Sequence, residues 1–199
     1  MIIAVPLVYA LLPSKTQDNY VRVLDAVKSA ATRFRLRGDG PRKIMSDFEM
    51  GIINAGKTIF PNADVKCCFF HLGQASYRKV QQLGLQELYN DPEDRSIKEG
   101  VHMMLSLAFV PVEDMEEALR VVERETPRAI APVIQYFDET CVRGPRARGA
   151  RARGAARRPR YDVRLWNTYE ATLLNEQRTN NISEGWHNIF QVGTPQHSI

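Results

Sequence analysis

An aspartate follows directly on a short segment whose composition is typical of a β-strand. The strand is predicted over residues 43–46, and Asp47 comes next, before a helical pattern that starts at Phe48. Sheets of the α/β class hold ligands at the carboxyl ends of their strands, and hard cations such as Mg²⁺ prefer carboxylate oxygens. Asp47 is therefore a candidate metal ligand. The alternative is that Asp47 caps the following helix, a position that Asp favours.

Cysteine and histidine lie three residues apart at Cys68 and His71. A structural zinc site needs four ligands, and the other cysteines and histidines do not have the paired spacing of such sites; they are Cys67, Cys141, His102, His187 and His197. Two interpretations stay open for Cys68 and His71: a metal-binding pair, or a buried thiol beside a histidine that is hydrogen-bonded at a strand end.

A third polar group lies near the C-terminus, on a helix predicted in the segment RTNNISEGWHNIFQ. Its apolar face is lined by Ile182, Trp186, Ile189 and Phe190. Glu184 lies on the polar face together with Asn180, Asn181 and His187, at helical steps of three and four residues. The group could supply ligands, or it could simply be the solvated face of an amphipathic helix.

The elements that would position these residues alternate between strand and helix. An apolar run over 2–12 predicts a buried strand, although Pro6 favours an edge or a bulge. A helix is predicted after it with Thr16 as N-cap, followed by the strand at 43–46, a helix over 48–60, a strand over 65–70 and a further helix. This order is typical of an α/β sheet.

The remainder of the chain divides by composition. Residues 1–90 form the predicted β/α core, 91–140 an all-helical insertion, 141–160 an Arg-rich tract expected to be disordered, and 161–199 the C-terminal helices. Residues 143–160 hold eight of the 27 Lys and Arg residues and no acid, so the other 181 residues have 19 basic against 23 acidic residues, a balance of −4. One tract therefore makes a mildly acidic protein basic.

Several protein classes are excluded by the same composition. The chain has 199 residues, of which 44% are hydrophobic and 25% charged, as in ordinary globular domains. No apolar run reaches the roughly 18–20 residues of a membrane span, so no membrane contact is expected. The apolar N-terminus has no preceding basic residue, which favours a strand over a signal peptide. Three cysteines are too few for a disulfide framework, which indicates a reducing compartment.

Six segments, in this order, resemble the transposase domain of Mutator-like elements, the MULE family. They are PLVYALLPSKTQDNY (6–20), KIMSDFEMGIINAGKTIFP (43–61), CFFHLGQASYRKVQQLGL (68–85), LSLAFVPVEDM (105–115), YFDETCVRG (136–144) and LWNTYEATLLNEQRTNNISEGWHN (165–188). Each motif alone is moderately specific, whereas their joint order and spacing are highly specific. The resemblance covers nearly the whole chain apart from the Arg-rich tract and the last residues.

The resemblance implies an α/β RNase H-like fold with a helical insertion and a DDE site, in which two Asp and one Glu bind Mg²⁺ or Mn²⁺. In that site one ion lowers the pKa of the attacking hydroxyl or water and the other stabilises the leaving oxygen of a DNA phosphodiester. By position Asp47 matches the second Asp and Glu184 the Glu. Cys68 and His71 match the family's Cys-x-x-His, and Asn181 and His187 are possible supporting residues. DNA is the implied partner and the nucleus the implied location, otherwise the cytoplasm.

The chain also departs from the family pattern. The family's first Asp lies on a strand upstream of the first residue here, so the chain matches a fold whose first two strands are absent. We therefore expect either that the segment 2–12 pairs directly with the strand 43–46 or that the sheet is incomplete. In both cases we expect the chain to be without strand-transfer activity.

Two further interpretations stay open. The first is a non-catalytic nucleic-acid-binding module, in which an arginine-rich tract neutralises phosphates without reading sequence. Its candidate binding residues are Arg146, Arg148, Arg151, Arg153, Arg157 and Arg158. The tract could also be a nuclear import signal, or a repeat expansion without function. The second interpretation is a non-functional gene remnant, which predicts poor folding and an exposed strand edge.

Overall fold

In a computed structural model of the protein, residues 7–35, 40–145 and 158–179 are described. They form a mixed α/β structure that is mostly helical, with a two-stranded parallel sheet. The chain divides into two compact units, one made of residues 1–70 and 179–199 and the other of residues 71–178. The predicted α/β class is thus confirmed. None of the described helices is long and apolar enough to span a bilayer.

The first unit begins with helix α1, Gln17–Arg33. The Thr16 side chain accepts a 3.4 Å hydrogen bond from the Asn19 amide, so the predicted N-cap is confirmed. Helix α1 packs against α2, Met50–Ile59.

A β-α-β unit follows α1. Strand β1, Lys43–Ser46, pairs in parallel with β2, Asp64–Cys67, and α2 connects them. Ile53, Ala55 and Gly56 are the buried residues of α2. A Cβ atom at Gly56 would lie 3.4 Å from Ile44 Cδ1, so the small residue allows α2 to pack closely on the sheet.

Two predicted strands of this unit need correction. Residues 7–12 of the expected buried strand are in no strand, and the side chains of Leu7 and Leu11 are 87% and 103% exposed. An apolar run becomes a strand only where a neighbouring strand accepts its backbone hydrogen bonds, and in the described sheet β1 pairs with β2 alone. The expected pairing of this segment with 43–46 is therefore wrong for residues 7–12. Strand β2 ends at Cys67, before the predicted Phe70, because Phe69 already begins a helix.

The second unit is helical. Its elements are the continuation of α3 (Phe69–Gln82), α4 (Gln86–Tyr89), α5 (Ser96–Ser106), α6 (Met115–Glu125), α7 (Ala131–Phe137), α8 (Val163–Trp166) and α9 (Tyr169–Leu173). Short 3₁₀ turns lie at 107–109, 112–114 and 128–130, and α7 continues as a π-helical turn, Asp138–Val142. The core contains the largest fully buried side chains of this unit: Leu72, Val80, Val101, Met104, Leu107, Leu119, Ile130, Val133, Phe137 and Trp166.

The sequence of residues 165–174 has helical spacing, but the structure divides the segment into α8 and α9. The Asn167 side chain donates to the Val110 carbonyl at 2.7 Å, and the Thr168 amide and hydroxyl both donate to the Ala108 carbonyl. Asn167 Oδ1 also accepts a 3.1 Å hydrogen bond from the Tyr169 amide, and a local side-chain bond of this kind competes with helix continuation. The break is therefore the attachment point of this segment to the turn after α5.

Candidate functional site

Asp47 lies at the carboxyl edge of the sheet. It directly follows β1, and its side chain is exposed. Ser46 is paired with Cys67, and the Cys68 amide donates to the Ser46 carbonyl at 2.8 Å, so the ladder extends to the residue after β2. Both parallel strands therefore end at the same edge, with Asp47 after one and Cys68 after the other.

The backbone of Asp47 is part of a tight turn into α2. Its carbonyl accepts a 2.8 Å hydrogen bond from the Glu49 amide and a 3.1 Å bond from the Ser46 hydroxyl. The N-cap position of α2 is occupied by Glu49, whose side chain makes no cap hydrogen bond. The alternative interpretation of Asp47 as the N-cap is therefore wrong, because the N-cap lies two residues further on, at Glu49.

Glu49, two residues after Asp47, is bound on both carboxylate oxygens. Lys15 Nζ lies 2.6 Å from Oε1, and the Tyr20 hydroxyl donates to Oε2 at 2.6 Å. The Glu49 side chain is 28% exposed, against 75% for Lys15. We call these three residues, Lys15, Tyr20 and Glu49, the clamp. It joins the beginning of α1 to the turn that carries Asp47.

The clamp shifts the ionisation of its members. Burial alone would raise the pKa of Glu49, but hydrogen bonds from Lys15 and Tyr20 and the charge of Lys15 outweigh burial and lower it. The hydrogen bond and charge of Glu49 raise the pKa of Lys15. Burial, then the bond to Glu49, raises the pKa of Tyr20 to about 12. The negative charge of Asp47 adds to both increases, so Asp47 lies within electrostatic reach of the clamp.

Close packing of the two helices supports the clamp. A Cβ atom at Gly51 would lie 3.1 Å from the Lys15 carbonyl oxygen and 3.2 Å from Tyr20 Cδ2. Asn54 of α2 also donates a 3.2 Å hydrogen bond to Gln17 of α1. The start of α2 thus lies directly against the segment that supplies Lys15 and Tyr20.

The cysteines beside this edge are buried thiols. Cys67 and Cys68 form no disulfide and are almost completely inaccessible, at 1% and 0% exposure. Burial raises the pKa of the Cys67 thiol to about 12. Metals bind the thiolate form, so this environment disfavours Cys67 as a ligand. His71 lies half-buried in the first turn of α3, and a supporting role for Cys68 and His71 stays a prediction.

Asp47 is an exposed carboxylate at the carboxyl edge of the sheet. An exposed carboxylate such as Asp47 is the donor that Mg²⁺ and Mn²⁺ prefer, so Asp47 fits as one ligand of such an ion. Within residues 7–35, 40–145 and 158–179, no group of three or more His, Cys, Asp or Glu side chains could hold a metal. Glu184, the second predicted ligand, lies outside the described residues.

Of the other predicted site residues, some are among the described residues and others are not. Arg158 is described and exposed. Outside the described residues lie Asn181, His187, Arg146, Arg148, Arg151, Arg153 and Arg157. The domain boundaries at 90, 140 and 160 also stay predictions.

The clamp is the feature that sequence reasoning missed. The sequence predicts Glu49 to be a surface residue in the first turn of a helix. It predicts Tyr20 to lie on the apolar face of α1. Their contacts span 34 and 29 residues of sequence. No local spacing rule connects residues so far apart, and only the packing of α1 on α2 brings them together.

Three comparisons with known proteins bear on this arrangement. Residues 3–75 match the family model described as the MULE transposase domain. The match spans 73 of the 199 residues and includes the clamp, β1, Asp47, β2 and Cys68. Comparison with curated proteins gave no match, and comparison with solved structures gave none.

Proposed function

Because residues 3–75 of this chain match the MULE transposase domain, we propose that it is a segment of a MULE-type transposase that acts on DNA phosphodiester bonds. The observation that supports this most is the position of Asp47. It lies inside the matched segment, at the carboxyl edge of a parallel sheet, with an exposed carboxylate. Ligand sites of α/β sheets occur at that edge. The β1-α2-β2 unit would then be part of an RNase H-like sheet.

Asp47 is the proposed metal ligand of the described residues, and Glu184 is the proposed second ligand. A bound Mg²⁺ or Mn²⁺ would supply Lewis-acid activation of the attacking oxygen and stabilisation of the leaving one. Asp47 would hold the ion through its carboxylate at the open edge, where a DNA backbone can approach. Cys68, Asn181 and His187 would support the site.

Glu49 is not the ligand, although it lies close in sequence. Both of its oxygens are used by Lys15 and Tyr20, and binding a cation there would require breaking two short hydrogen bonds. Charge-assisted hydrogen bonds of this kind are about twice as strong as neutral ones. In our proposal the ligand is therefore Asp47, whose carboxylate is exposed at the edge.

The proposed location is the nucleus and the proposed partner is DNA. A mobility-shift assay on a short duplex, with and without Ca²⁺ or Mn²⁺, tests the function. We expect a complex that strengthens with the divalent ion, that Asp47→Asn weakens, and that Asp64→Asn leaves unchanged. Asp64 is a matched control because it is an exposed Asp at the opposite, amino end of β2. DNA binding that is unchanged both by the divalent ion and by Asp47→Asn would contradict the proposal.

A second candidate function has its own supporting observation, the charge of residues 143–160. Eight Arg residues without an acid would bind DNA or RNA through phosphates, with a steep dependence on salt. In the same assay this binding would persist in Asp47→Asn and would need no divalent ion. It would weaken when residues 146–157, with five of the eight arginines, are deleted.

A further inference from the structure

We infer that Glu49 is a positioning residue for Asp47, which it holds in place through the clamp with Lys15 and Tyr20. This inference rests on the proposed function, since it concerns the placement of the proposed metal ligand. Glu49 itself touches no substrate or metal in this account. Its role is to fix the turn between β1 and α2 in one arrangement.

The first step is the direct backbone link. The Glu49 amide donates to the Asp47 carbonyl at 2.8 Å, and the Glu49 carbonyl accepts the Ile53 amide at 3.1 Å, which starts α2. Glu49 is thus bonded on one side to Asp47 and on the other to the helix. Any displacement of Glu49 must move the Asp47 backbone with it.

The second step is what holds Glu49. Its carboxylate is bound by Lys15, from the segment before α1, and by Tyr20, from the first turn of α1. These two donors bind different oxygens, so the carboxylate cannot rotate without losing one of them. The side chain is therefore restrained from two directions, as a supporting residue around a binding site must be.

The third step is the support of the donors themselves. Gly51 gives α2 the room to approach the Lys15 carbonyl and the Tyr20 ring, at 3.1 and 3.2 Å from where a Cβ atom would lie. Helix α1 is thus seated against the start of α2 independently of the ion pair. Loss of the clamp should release the turn while the two helices stay packed.

The experiment measures Mn²⁺ at Asp47 without relying on catalysis. In two-dimensional NMR spectra of the full chain, substoichiometric Mn²⁺ broadens amide signals near the bound ion. In the unaltered chain we expect broadening at residues 47–49 and 68. Because partners outside the ligand set change metal affinity by about 10–100-fold, we expect Glu49→Ala and Tyr20→Phe to weaken this Mn²⁺ binding about tenfold. Glu49→Gln, which keeps an acceptor for Tyr20, should lie between Glu49→Ala and the unaltered chain.

Asn54→Ala is the matched control, because it removes a different hydrogen bond between the same two helices. It should leave the broadening unchanged. The remaining signals of each spectrum report the fold, so a loss of broadening with an otherwise unchanged spectrum identifies positioning rather than unfolding. If Glu49→Ala unfolds the chain, Tyr20→Phe still tests the positioning role, because it removes only one hydroxyl.

The outcomes separate the inference from the function on which it rests. Broadening that disappears in Asp47→Asn but persists at full strength in Tyr20→Phe and Glu49→Ala overturns the positioning role and leaves the proposed function standing. Broadening that persists in Asp47→Asn, or that never occurs near residue 47, overturns the proposed function and the positioning role together.

Discussion

The hydroxyl of Tyr20 donates a 2.6 Å hydrogen bond to the carboxylate of Glu49, across 29 residues of sequence. Through this bond, the first turn of α1 is tied to the turn that presents Asp47. The contact connects a segment before β1 to the edge of the sheet. The titration of the Tyr20 phenol also reports whether this hydrogen bond is formed.

The phenol of Tyr20 should titrate abnormally. Its pKa is raised to about 12 from 10.0, first by burial and then by the bond to Glu49. The pKa of Tyr20 is higher in the folded protein than in the unfolded chain, so the protonated phenol stabilises the fold. This stabilisation is complete below pH 10 and is lost as the pH rises towards 12. Ultraviolet difference titration of the unaltered chain against Tyr20→Phe measures this. A difference curve with its midpoint near pH 10 would show that the buried bond does not form.

Removal of the Tyr20 hydroxyl should also weaken the first unit modestly. We expect Tyr20→Phe to lower the free energy of unfolding by about 1 kcal/mol at pH 7, the typical net value of one hydrogen bond. Urea unfolding followed by circular dichroism gives the number. Tyr9→Phe is a control, because Tyr9 is 62% exposed, and it should change the free energy by much less.

The three cysteines should react slowly in the folded protein. Cys67, Cys68 and Cys141 are all buried and form no disulfide, and burial raises the pKa of Cys67 to about 12. The thiolate is the reactive form, so we expect modification by a disulfide reagent at pH 8 to be about a hundredfold slower than in urea. Rapid reaction of Cys67 or Cys68 without denaturant would contradict the described burial.

Much of the fold could be predicted from sequence where a pattern is local. Capping and periodicity predict the Thr16 cap and the strand at 43–46, and the structure contains both. Of the predicted apolar stripe in α6, three residues are buried and Ala118 is partly exposed; the buried ones are Met115, Leu119 and Val122. The strand predicted from residue 2 fails over 7–12, because apolar character alone does not supply a pairing partner.

Only part of the candidate site could be predicted from the sequence. Asp47 is recognisable from its place after a strand, which is a local property. The clamp was not, since Lys15 and Glu49 come together only after α1 packs on α2. The division between α8 and α9 was missed for the same reason. The hydrogen bonds of Asn167 and Thr168 reach residues 57 and 60 positions away.

The second unit contains a buried charge whose partner should matter for stability. Asp138 is 1% exposed and accepts a 2.7 Å hydrogen bond from Arg143, which also binds Glu123 at 2.8 Å. Breaking a buried pair leaves an uncompensated charge, at a cost of about 3–5 kcal/mol in full burial. Since Arg143 is 34% exposed, we expect Arg143→Met to cost about 2–3 kcal/mol.

Chemical unfolding of Arg143→Met beside Arg120→Met provides the comparison. Arg120 pairs with Glu117 on an exposed face of α6, and such surface pairs contribute less than about 1 kcal/mol. Equal effects of the two substitutions would mean that the environment of Asp138 is far more solvated than its burial indicates.

Deletion of residues 146–157 should leave the second unit folded. On the two sides of this segment, the Tyr161 amide donates to the Thr140 carbonyl at 2.9 Å and the Trp166 indole donates to the Cys141 carbonyl at 3.0 Å. A shorter connection between bonded flanks lowers the loop-closure entropy slightly. We expect the free energy of unfolding to change by less than about 1 kcal/mol.

The same deletion tests what the arginines do. If they bind nucleic acid, the salt-sensitive fraction of DNA binding will decrease in proportion to the charges removed. An unchanged salt slope would exclude the tract as the binding element. A deletion variant that loses cooperative unfolding would instead show that the segment is needed for the fold.

The measurement that tests the central claim most directly is Mn²⁺ binding by electron paramagnetic resonance, which counts free Mn²⁺ in the presence of protein. The unaltered chain should bind Mn²⁺ at a site that Asp47→Asn weakens about tenfold or more and that Asp64→Asn leaves intact. Equal binding by all three proteins, or by none, would contradict the assignment of Asp47 as a metal ligand.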